Sequence, residues 1–311
     1  MTGLDPKNAL LIALAAFTVF YLWVVVGAVQ KELSRGKTLG NILWGPNAAG
    51  LYFTGAFTNF WDTLGVGSFA PTTAIFRKWK LVPDERIPGT LNIGYVLPTI
   101  VQAFIFTKIV EVEPWTLVYM ILAAVVGSYI GSGIVSGWPR QRVQAVMGTV
   151  LLFGGAIMLM RTLGWMPAGG DAIGLTGLNL ALGLLGNFAL GALMTVGVGL
   201  YGPCMVLVFL LGMSPKVAFP IMMGSCAFLM PVASYRFVKK DFFDLRAAVA
   251  VGIGGLPFVF VAAYLVKELN IKVMSYLVVA VVLYTSYGLI KSSRERTLAP
   301  IEDGIAPSPV P

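Results

Sequence analysis

Asp62-Thr-Leu-Gly-Val-Gly-Ser-Phe-Ala-Pro-Thr-Thr73 is the stretch that decides the fold, because its glycine and proline pattern returns as Gly197-Val-Gly-Leu-Tyr-Gly-Pro-Cys-Met205. In both copies, a proline lies four residues beyond the second glycine of Gly-Val-Gly. The matching residues are always 132 positions apart: Gly65 and Gly197, Gly67 and Gly199, Pro71 and Pro203, Pro83 and Pro215, and Pro88 and Pro220. This period is far longer than that of solenoid proteins, so it indicates that one unit was duplicated.

The composition predicts that the duplicated units lie in a membrane. Of the 311 residues, 57% are hydrophobic and only 12% are charged, which is too little ionisable surface for a soluble protein of this size. The net charge of +8 does not predict a nucleic-acid partner, because the 22 Lys and Arg residues cluster in short segments between apolar runs, as the positive-inside rule requires. The sequence therefore predicts a polytopic protein of the lipid bilayer.

The first apolar run, Ala9 to Val29, is long enough to span about 30 Å of hydrocarbon as a helix. Basic residues at 31, 35 and 37 follow it, which favours a retained anchor whose N-terminus lies outside. Beyond this anchor, apolar segments are predicted at about 48–79, 88–107, 115–136, 142–162, 178–212, 217–238, 246–267 and 272–290.

Two of these segments, 48–79 and 178–212, are too long for a single straight crossing, since a helix of about 33 residues would measure about 50 Å. Each carries Gly-Val-Gly near its centre. Two interpretations are open: a strongly tilted, broken span, or a re-entrant hairpin of two half-helices that leaves the membrane on the side it entered.

The distribution of charge favours hairpins. With two hairpins, nearly every basic cluster falls on the cytoplasmic side, and only Arg161, Lys216 and the mixed loop at 267–272 remain outside. The cytoplasmic set then comprises Lys31, Arg35, Lys37, Arg77, Lys78, Lys80, Arg86, Arg140, Arg142, Arg236, Lys239, Lys240, Arg246, Lys291, Arg294 and Arg296. One hairpin then enters from the cytoplasm and the other from outside, so the repeats are inverted, as alternating-access transporters require.

The predicted fold is therefore an all-α polytopic membrane protein with seven spans and two hairpins. An N-terminal anchor and basic loop occupy residues 1–46, and two inverted four-element units, each beginning with a hairpin, occupy 47–163 and 178–290. A polar tail at 291–311 is predicted to be disordered and cytoplasmic. The alternative is nine spans.

The hairpin tips are the predicted site. Backbone N–H groups at the start of a second half-helix lack an intrahelical acceptor, and together with the helix dipole they suit an anion. Irregular backbone at membrane depth is tolerated only where it is buried in protein or lines a cavity. The alternative for Gly-Val-Gly is close helix packing. The predicted substrate-binding residues are Gly65, Gly67, Ser68, Phe69, Thr72 and Thr73 in the first copy, and Gly197, Gly199, Leu200, Tyr201, Cys204 and Met205 in the second.

Asp62 is the one acid well inside a predicted hairpin, and it lies three residues before the tip. An ionisable group at that depth is a functional hypothesis by default. It could bind a coupling proton or sodium ion, or orient the tip through backbone N–H groups. Asn59 and Asn92 are polar candidates for the same coupling or orienting role, although each could equally form an interhelical hydrogen bond.

No enzyme site is predicted. The chain has no His, no paired carboxylates in its apolar segments, no Cys-x-x-Cys and no phosphate-binding loop. Accordingly, no cofactor and no metal ion are expected. The two cysteines at 204 and 226 lie inside apolar segments, where Cys is often a small apolar filler, but Cys204 at the second tip could also donate to a sulfur-containing anion.

The two tip motifs quoted above, together with Pro220-Ile-Met-Met-Gly-Ser-Cys-Ala-Phe-Leu-Met-Pro231, resemble the repeated signatures of the sulfite-exporter TauE/SafE family over roughly residues 48–290. The resemblance implies secondary transport of sulfur oxyanions or organosulfonates across the bacterial inner membrane. The anchor at 9–29 is an addition to the family pattern, and Cys204 in the position of Thr72 makes the two tips different.

The expected function is therefore export of a small sulfur-containing anion such as sulfite, thiosulfate or a sulfoacetate-like organosulfonate. The anion would bind at mid-membrane between the two tips. A passive anion channel and a carrier of a carboxylate or another small metabolite remain alternatives. The sequence leaves the substrate, the direction, the coupling ion and the oligomeric state open.

Overall fold

The computed structural model describes residues 5–135, 139–166, 170–194 and 199–294. The described residues form helices, connecting loops and one isolated β-bridge between Ala172 and Met213, and they contain no β-strand. The helices are α1 (Pro6–Ser34), α2 (Leu39–Trp44), α3 (Ala48–Thr63), α4 (Phe69–Trp79), α5 (Ile87–Ile109), α6 (Pro114–Val135), α7 (Arg140–Thr162), α8 (Gly177–Met194), α9 (Tyr201–Leu210), α10 (Ala218–Lys240), α11 (Leu245–Glu268) and α12 (Ile271–Arg294). The all-α prediction is confirmed for these residues. The predicted tail lies outside them from residue 295 onward.

Seven helices in the described ranges are long and apolar enough to cross a membrane, namely α1, α5, α7, α8, α10, α11 and α12. Such a set is typical of a multi-pass membrane protein. Six of the seven coincide with predicted spans. The seventh, α8, is the first half of the predicted second hairpin, whereas the predicted span at 115–136 corresponds to α6, an apolar helix of 22 residues.

Short polar side chains begin several of the helices. Asp5 accepts a hydrogen bond from the backbone N–H of Lys7 at the start of α1, and Thr38 caps α2 in the same way. The side chain of Asp244 accepts from the N–H of Ala247 at 2.9 Å at the start of α11. These caps satisfy backbone donors that the first turn of a helix leaves free.

Both over-long segments are broken near the glycine pairs. After α3, the N–H of Gly65 donates to the carbonyl of Asp62 at 2.8 Å, and the N–H of Val66 donates to Trp61 at 3.1 Å. Gly65 and Gly67 have φ angles of +97° and +85°, a region that residues with a side chain rarely adopt. In the second copy α8 ends at Met194 and α9 begins at Tyr201, while Gly197 lies outside the described residues.

The order of elements is the same in the two halves of the chain. Each broken segment is followed by a 3₁₀ turn, at Asp84–Arg86 or Pro215–Val217, and then by a 23-residue helix with an interior proline, Pro98 or Pro231. Two further long helices complete each half. The halves pack crosswise: α3 contacts α11, α8 contacts α6, α5 contacts α10, and α7 contacts α12. The first helix of each half thus packs against a helix of the other half, as α3 does on α11 and α8 on α6.

Within each broken segment, residues before the break lie close to residues after it. The rings of Phe53 and Trp79 have centroids 6.4 Å apart, so the start of α3 lies near the end of α4. In the second segment, a Cβ atom built on Gly186 would lie 2.7 Å from Leu207 Cδ1, and one on Gly183 would lie 3.3 Å from Leu211 Cδ1. These contacts mean that α4 runs back along α3, and α9 along α8.

The N-terminal helix α1 packs against α10, α5 and α6. The hydroxyl of Tyr21 donates to the carbonyl of Ile93 at 2.7 Å, and the ring of Phe17 meets that of Phe228 edge to face at 4.9 Å. At its C-terminal end, Arg35 and Lys31 form ion pairs of 3.1 and 3.2 Å with Asp241, which lies between α10 and α11.

We expect the ion pairs of Asp241 with Lys31 and Arg35 to add a small stabilisation, which falls as the salt concentration rises. Arg35 and Lys31 hold the pKa of the Asp241 carboxyl below its usual value. The contribution is therefore present above the ordinary pKa of Asp and is lost as the pH falls through the lowered one. Since the partners are close to half exposed, Asp241→Asn should lower the Tm at neutral pH and low salt by at most about 3 °C.

The control is Glu85→Gln, because Glu85 forms no ion pair among the described residues. Its Tm should equal that of the wild type. A loss of Tm in Asp241→Asn that persisted unchanged at high salt would contradict an electrostatic origin.

Candidate functional site

The first glycine break contacts the second half of the chain directly. A Cβ atom built on Gly65 would lie 2.2 Å from Cε of Met205 in α9 and 3.6 Å from Cε of Met222 in α10. Met205 could move its terminal methyl group, so it is the φ angle of +97° that favours glycine at position 65. The contact brings the first predicted tip against the helix that begins at the second one.

A buried polar cluster lies beside this contact. The side-chain amide of Gln102 in α5 donates to Asp62 Oδ2 at 3.0 Å and to Thr63 Oγ1 at 2.9 Å. Its carbonyl oxygen accepts from the Tyr201 hydroxyl at 3.5 Å. Asp62 is 2% exposed and Gln102 is fully buried. This Asp62–Gln102–Tyr201 cluster thus joins α3 and α5 of the first half to α9 of the second.

The carboxyl group of Asp62 has further neutral donors around it. Ser68 and Tyr201 lie close enough to that carboxyl group to interact with it electrostatically. No Lys or Arg among the described residues forms an ion pair with Asp62. A carboxylate in such a place has no counter-charge to offset its loss of hydration, which favours the neutral form or a bound cation.

A second polar junction fixes α4 to the rest of the first half. The hydroxyl of Tyr95 in α5 shares hydrogen bonds with the hydroxyls of Thr58 in α3 and Thr72 in α4. The ring of Phe69 lies 5.9 Å from that of Tyr95. All three hydroxyl-bearing side chains are fully buried, so these bonds hold both helices of the broken segment against α5.

Open space lies next to one glycine of each break. Apart from chain neighbours, no described atom comes within 4 Å of a Cβ built on Gly67 or on Gly199. Gly199 is exposed, and Gly67 is half-buried. A side chain added at either position would therefore meet none of the described residues beyond its chain neighbours.

The remaining predicted tip residues are mainly buried. Leu200, Cys204 and Met205 are each at most 2% exposed, and the N–H of Cys204 makes the first helical bond of α9, to the carbonyl of Leu200 at 2.9 Å. The hydroxyl of Thr73 donates to the carbonyl of Phe69 at 2.8 Å and so stays on its own helix.

Asn59 and Asn92 make helix contacts rather than contacts with the Asp62–Gln102–Tyr201 cluster. The Nδ2 group of Asn59 donates to the carbonyls of Gly55 at 2.8 Å and Val251 at 3.4 Å, and its Oδ1 atom has no hydrogen-bond partner among the described residues. Asn92 donates to the carbonyl of Pro88 at 3.2 Å. Asn92 therefore lies apart from Asp62, the acid with which it was predicted to share a coupling or orienting role.

Gln102 and Tyr95 are site residues that the sequence did not single out as such. Gln102 was visible as a polar residue in an apolar segment, which is the signal that could have marked it. Tyr95 gave no signal, because an aromatic residue in an apolar helix is ordinary.

A separate cleft of about 660 Å³ lies at the C-terminal end of α1. It is lined by basic and acidic side chains, with Arg86 and Arg246 bonded to the backbone carbonyls of Phe243 and Pro46. In the described ranges, no group of three or more His, Cys, Asp or Glu residues could hold a metal ion.

Comparison of the chain with protein-family models, with curated proteins and with solved structures found no match. The resemblance to the TauE/SafE family thus depends on the motifs quoted above, and the functional argument depends on the geometry of the site.

Proposed function

We propose that the chain is a secondary transporter of a small sulfur-containing anion, which binds between the two glycine breaks and crosses by alternating access. The observation that carries this proposal is the contact of Gly65 with Met205 beside the buried Asp62–Gln102–Tyr201 cluster. Two helix breaks from duplicated units meet there, and an ionisable group such as Asp62 buried in an apolar bundle is a functional hypothesis by default.

The proposal includes two re-entrant hairpins related by inverted symmetry. The run of α4 back along α3, and of α9 along α8, supports the hairpins. The crosswise packing of the two halves supports a two-fold relation between them. If each hairpin returns to its own side, each half has three crossings, and an odd number of crossings turns the second half upside down in the membrane.

Backbone donors at the start of α4 and α9 support an anion as the cargo. The first helical hydrogen bond of α4 runs from the N–H of Thr72 to the carbonyl of Ser68, and that of α9 runs from Cys204 to Leu200. The N–H groups before these bonds have no acceptor in their own helix, and the positive end of each helix dipole adds to them. Together they offer an anion two sets of donors from opposite halves.

A sulfur-containing anion, rather than a carboxylate, is favoured by the family resemblance and by the buried Cys204 at the start of α9. The proposed location is the bacterial inner membrane, with the N-terminus outside and the C-terminus in the cytoplasm. Export of a monoanion needs no coupling there, because the inside-negative potential contributes about 2.3 kcal/mol per charge at 100 mV.

Counterflow in proteoliposomes tests this function. Vesicles loaded with one unlabelled anion are diluted into its labelled form, in turn for sulfite, thiosulfate, sulfoacetate, taurine and lactate. We expect saturable, trans-stimulated uptake of at least one of the first three. Taurine, which is zwitterionic, controls for net charge.

Exchange of lactate alone would replace the proposal with a carboxylate carrier. A large single-channel current without trans-stimulation would replace it with an anion channel. Absence of flux for all five compounds would overturn the transport function.

A further inference from the structure

The cleft of about 660 Å³ at the C-terminal end of α1 lies where three parts of the chain meet. Lys37 and Asn41 come from the loop after α1 and from α2. Arg86 comes from the turn that precedes α5, and Arg246 comes from the first turn of α11. None of the described residues that line the cleft belongs to the predicted tips. An occupant would therefore contact the N-terminal segment and both halves of the chain at once, away from the proposed anion site.

The acidic residues of the cleft are already bonded within the protein. Arg35 forms ion pairs with both Glu32 and Asp241, at 2.7 and 3.1 Å. The Oδ1 atom of Asp244 accepts from the backbone N–H of Ala247 at 2.9 Å and so caps α11. These are the three acids among the described residues that line the cleft, so none of them is left to compensate a further positive charge.

Two basic residues of the cleft, Arg86 and Arg246, lack such partners. Neither forms an ion pair among the described residues. Arg86 donates to the carbonyl of Phe243 at 3.5 Å, and Arg246 donates to that of Pro46 at 2.6 Å. Since a guanidinium group carries five N–H donors, each arginine retains donors for a ligand. Guanidinium groups match the geometry of phosphate oxygens, so the cleft suits an anion that carries a phosphate group.

The position of α2 favours a lipid as the source of that phosphate. Asn41 and Ile42 of this helix line the cleft, whereas Leu39 and Trp44 are 55% and 75% exposed. Exposed Trp is typical of the headgroup level of a bilayer, where the ring lies between hydrocarbon and water. A phospholipid with its phosphate in the cleft would have its acyl chains beside these apolar side chains. A soluble phosphate compound makes no use of them.

We propose that the cleft binds the phosphate of an anionic phospholipid, such as phosphatidylglycerol, through Arg86 and Arg246. A headgroup with a net negative charge is favoured over a zwitterionic one, because the ammonium group of the latter is repelled by the two uncompensated positive charges. The bound lipid joins the residues after α1 to the start of α5 and the start of α11. It therefore stabilises the folded protein.

The test measures the Tm of the purified full chain in detergent, with phosphatidylglycerol or phosphatidylcholine added at equal concentration. The double variant Arg86→Gln/Arg246→Gln is compared with Lys78→Gln/Lys239→Gln, which removes the same charge from exposed residues outside the cleft. Phosphatidylglycerol at about 100 times its Kd should raise the Tm of the wild type and of the lysine variant by about 5 °C. In the arginine variant, its effect should be no larger than that of phosphatidylcholine.

Inorganic phosphate and ATP, added at matched ionic strength, test a soluble source of the phosphate. Neither should reproduce the shift in Tm. A shift with either compound that the arginine variant loses, together with no shift from phosphatidylglycerol, would assign the cleft to a soluble phosphate compound and overturn the lipid. Equal shifts with the two lipids in wild type, or equal shifts with phosphatidylglycerol in the two double variants, also overturn the proposal.

A second measurement covers an arginine variant that does not fold. Wild-type protein in bilayers is irradiated in the presence of phosphatidylglycerol that carries a photoreactive group on its headgroup, and the cross-linked peptides are identified by mass spectrometry. We expect the cross-links to fall on residues 37–46, 84–87 and 241–246, which surround the cleft. Cross-links confined to other parts of the chain overturn the proposal. Both measurements detect lipid binding rather than counterflow, so their results do not depend on the proposed function.

Discussion

Gly199→Leu abolishes counterflow of the transported anion and leaves the protein folded. No described atom beyond the chain neighbours lies within 4 Å of a Cβ at this position, so the new side chain meets none of the described residues and we expect the fold to tolerate it. Because Gly199 lies two residues before α9, we expect this side chain to occupy the space in front of the first N–H groups of that helix. A bulky apolar group there removes both the volume and the hydration that an anion needs. We therefore expect uptake at the level of protein-free vesicles, with an unchanged Tm.

Gly67→Leu should also block transport, but it should lower the stability of the fold as well. Gly67 has a φ angle of +85°, so any side chain adds backbone strain of about 1–2 kcal/mol. Gly199 is thus the cleaner position.

The matched control is Gly27→Leu. Gly27 lies exposed on α1, also with no described atom within 4 Å of a built Cβ, and far in sequence from either break. It should transport at the wild-type rate. Full activity in Gly199→Leu would reject the tip as the anion site, and equal loss in Gly27→Leu would show that the assay reports a general defect.

Gly191→Ala separates α8 from α6 and destabilises the protein. A Cβ on Gly191 would lie 2.0 Å from the carbonyl oxygen of Ala124, well below the 3.0 Å that real Cβ contacts respect. The obstacle is backbone, which cannot rotate away as a side chain could. Overpacking of this kind costs about 3 kcal/mol, so the Tm should fall by about 5 °C or more.

Gly27→Ala is the control for this substitution, since a helix gains stability when an unconstrained glycine becomes alanine. It should keep or slightly raise the Tm. Because a Cβ built on Gly55 would likewise lie 2.3 Å from the carbonyl oxygen of Val251, Gly55→Ala should behave like Gly191→Ala. A wild-type Tm in both would contradict the close crosswise packing of the two halves.

Much of the fold was predictable from the sequence because glycine and proline act locally. The first break falls where Gly-Val-Gly predicted it, since Gly65 and Gly67 adopt backbone angles that other residues avoid. The long helices begin and end within a few residues of the predicted apolar segments. The short helix α2 was not predicted, because a six-residue helix depends on a single cap at Thr38 rather than on a periodic pattern.

The site was only partly predictable because its contacts join distant parts of the chain. Asp62 was identified from its depth in an apolar segment, but its partners Gln102 and Tyr201 lie on two other helices and are brought to it by packing. Asn92 shows the converse: a polar residue in an apolar segment, which in the structure hydrogen-bonds the backbone of its own helix. Residue type alone does not distinguish these two cases.

The measurement that tests the central claim most directly is the sidedness of the two ends of each broken segment. In a background where Cys204 and Cys226 are replaced by Ala, single cysteines are introduced at the exposed positions Asn41 and Lys78, which flank α3 and α4. A second pair is introduced at Ile173 and Lys216, which flank α8 and α9. Labelling with a membrane-impermeant maleimide is then compared in right-side-out and inside-out vesicles.

Two re-entrant hairpins require that Asn41→Cys and Lys78→Cys be labelled from the cytoplasmic side, and that Ile173→Cys and Lys216→Cys be labelled from the opposite side. Labelling of the two members of either pair from opposite sides would mean that the broken segment crosses the membrane. That result would contradict the paired tips on which the anion site depends.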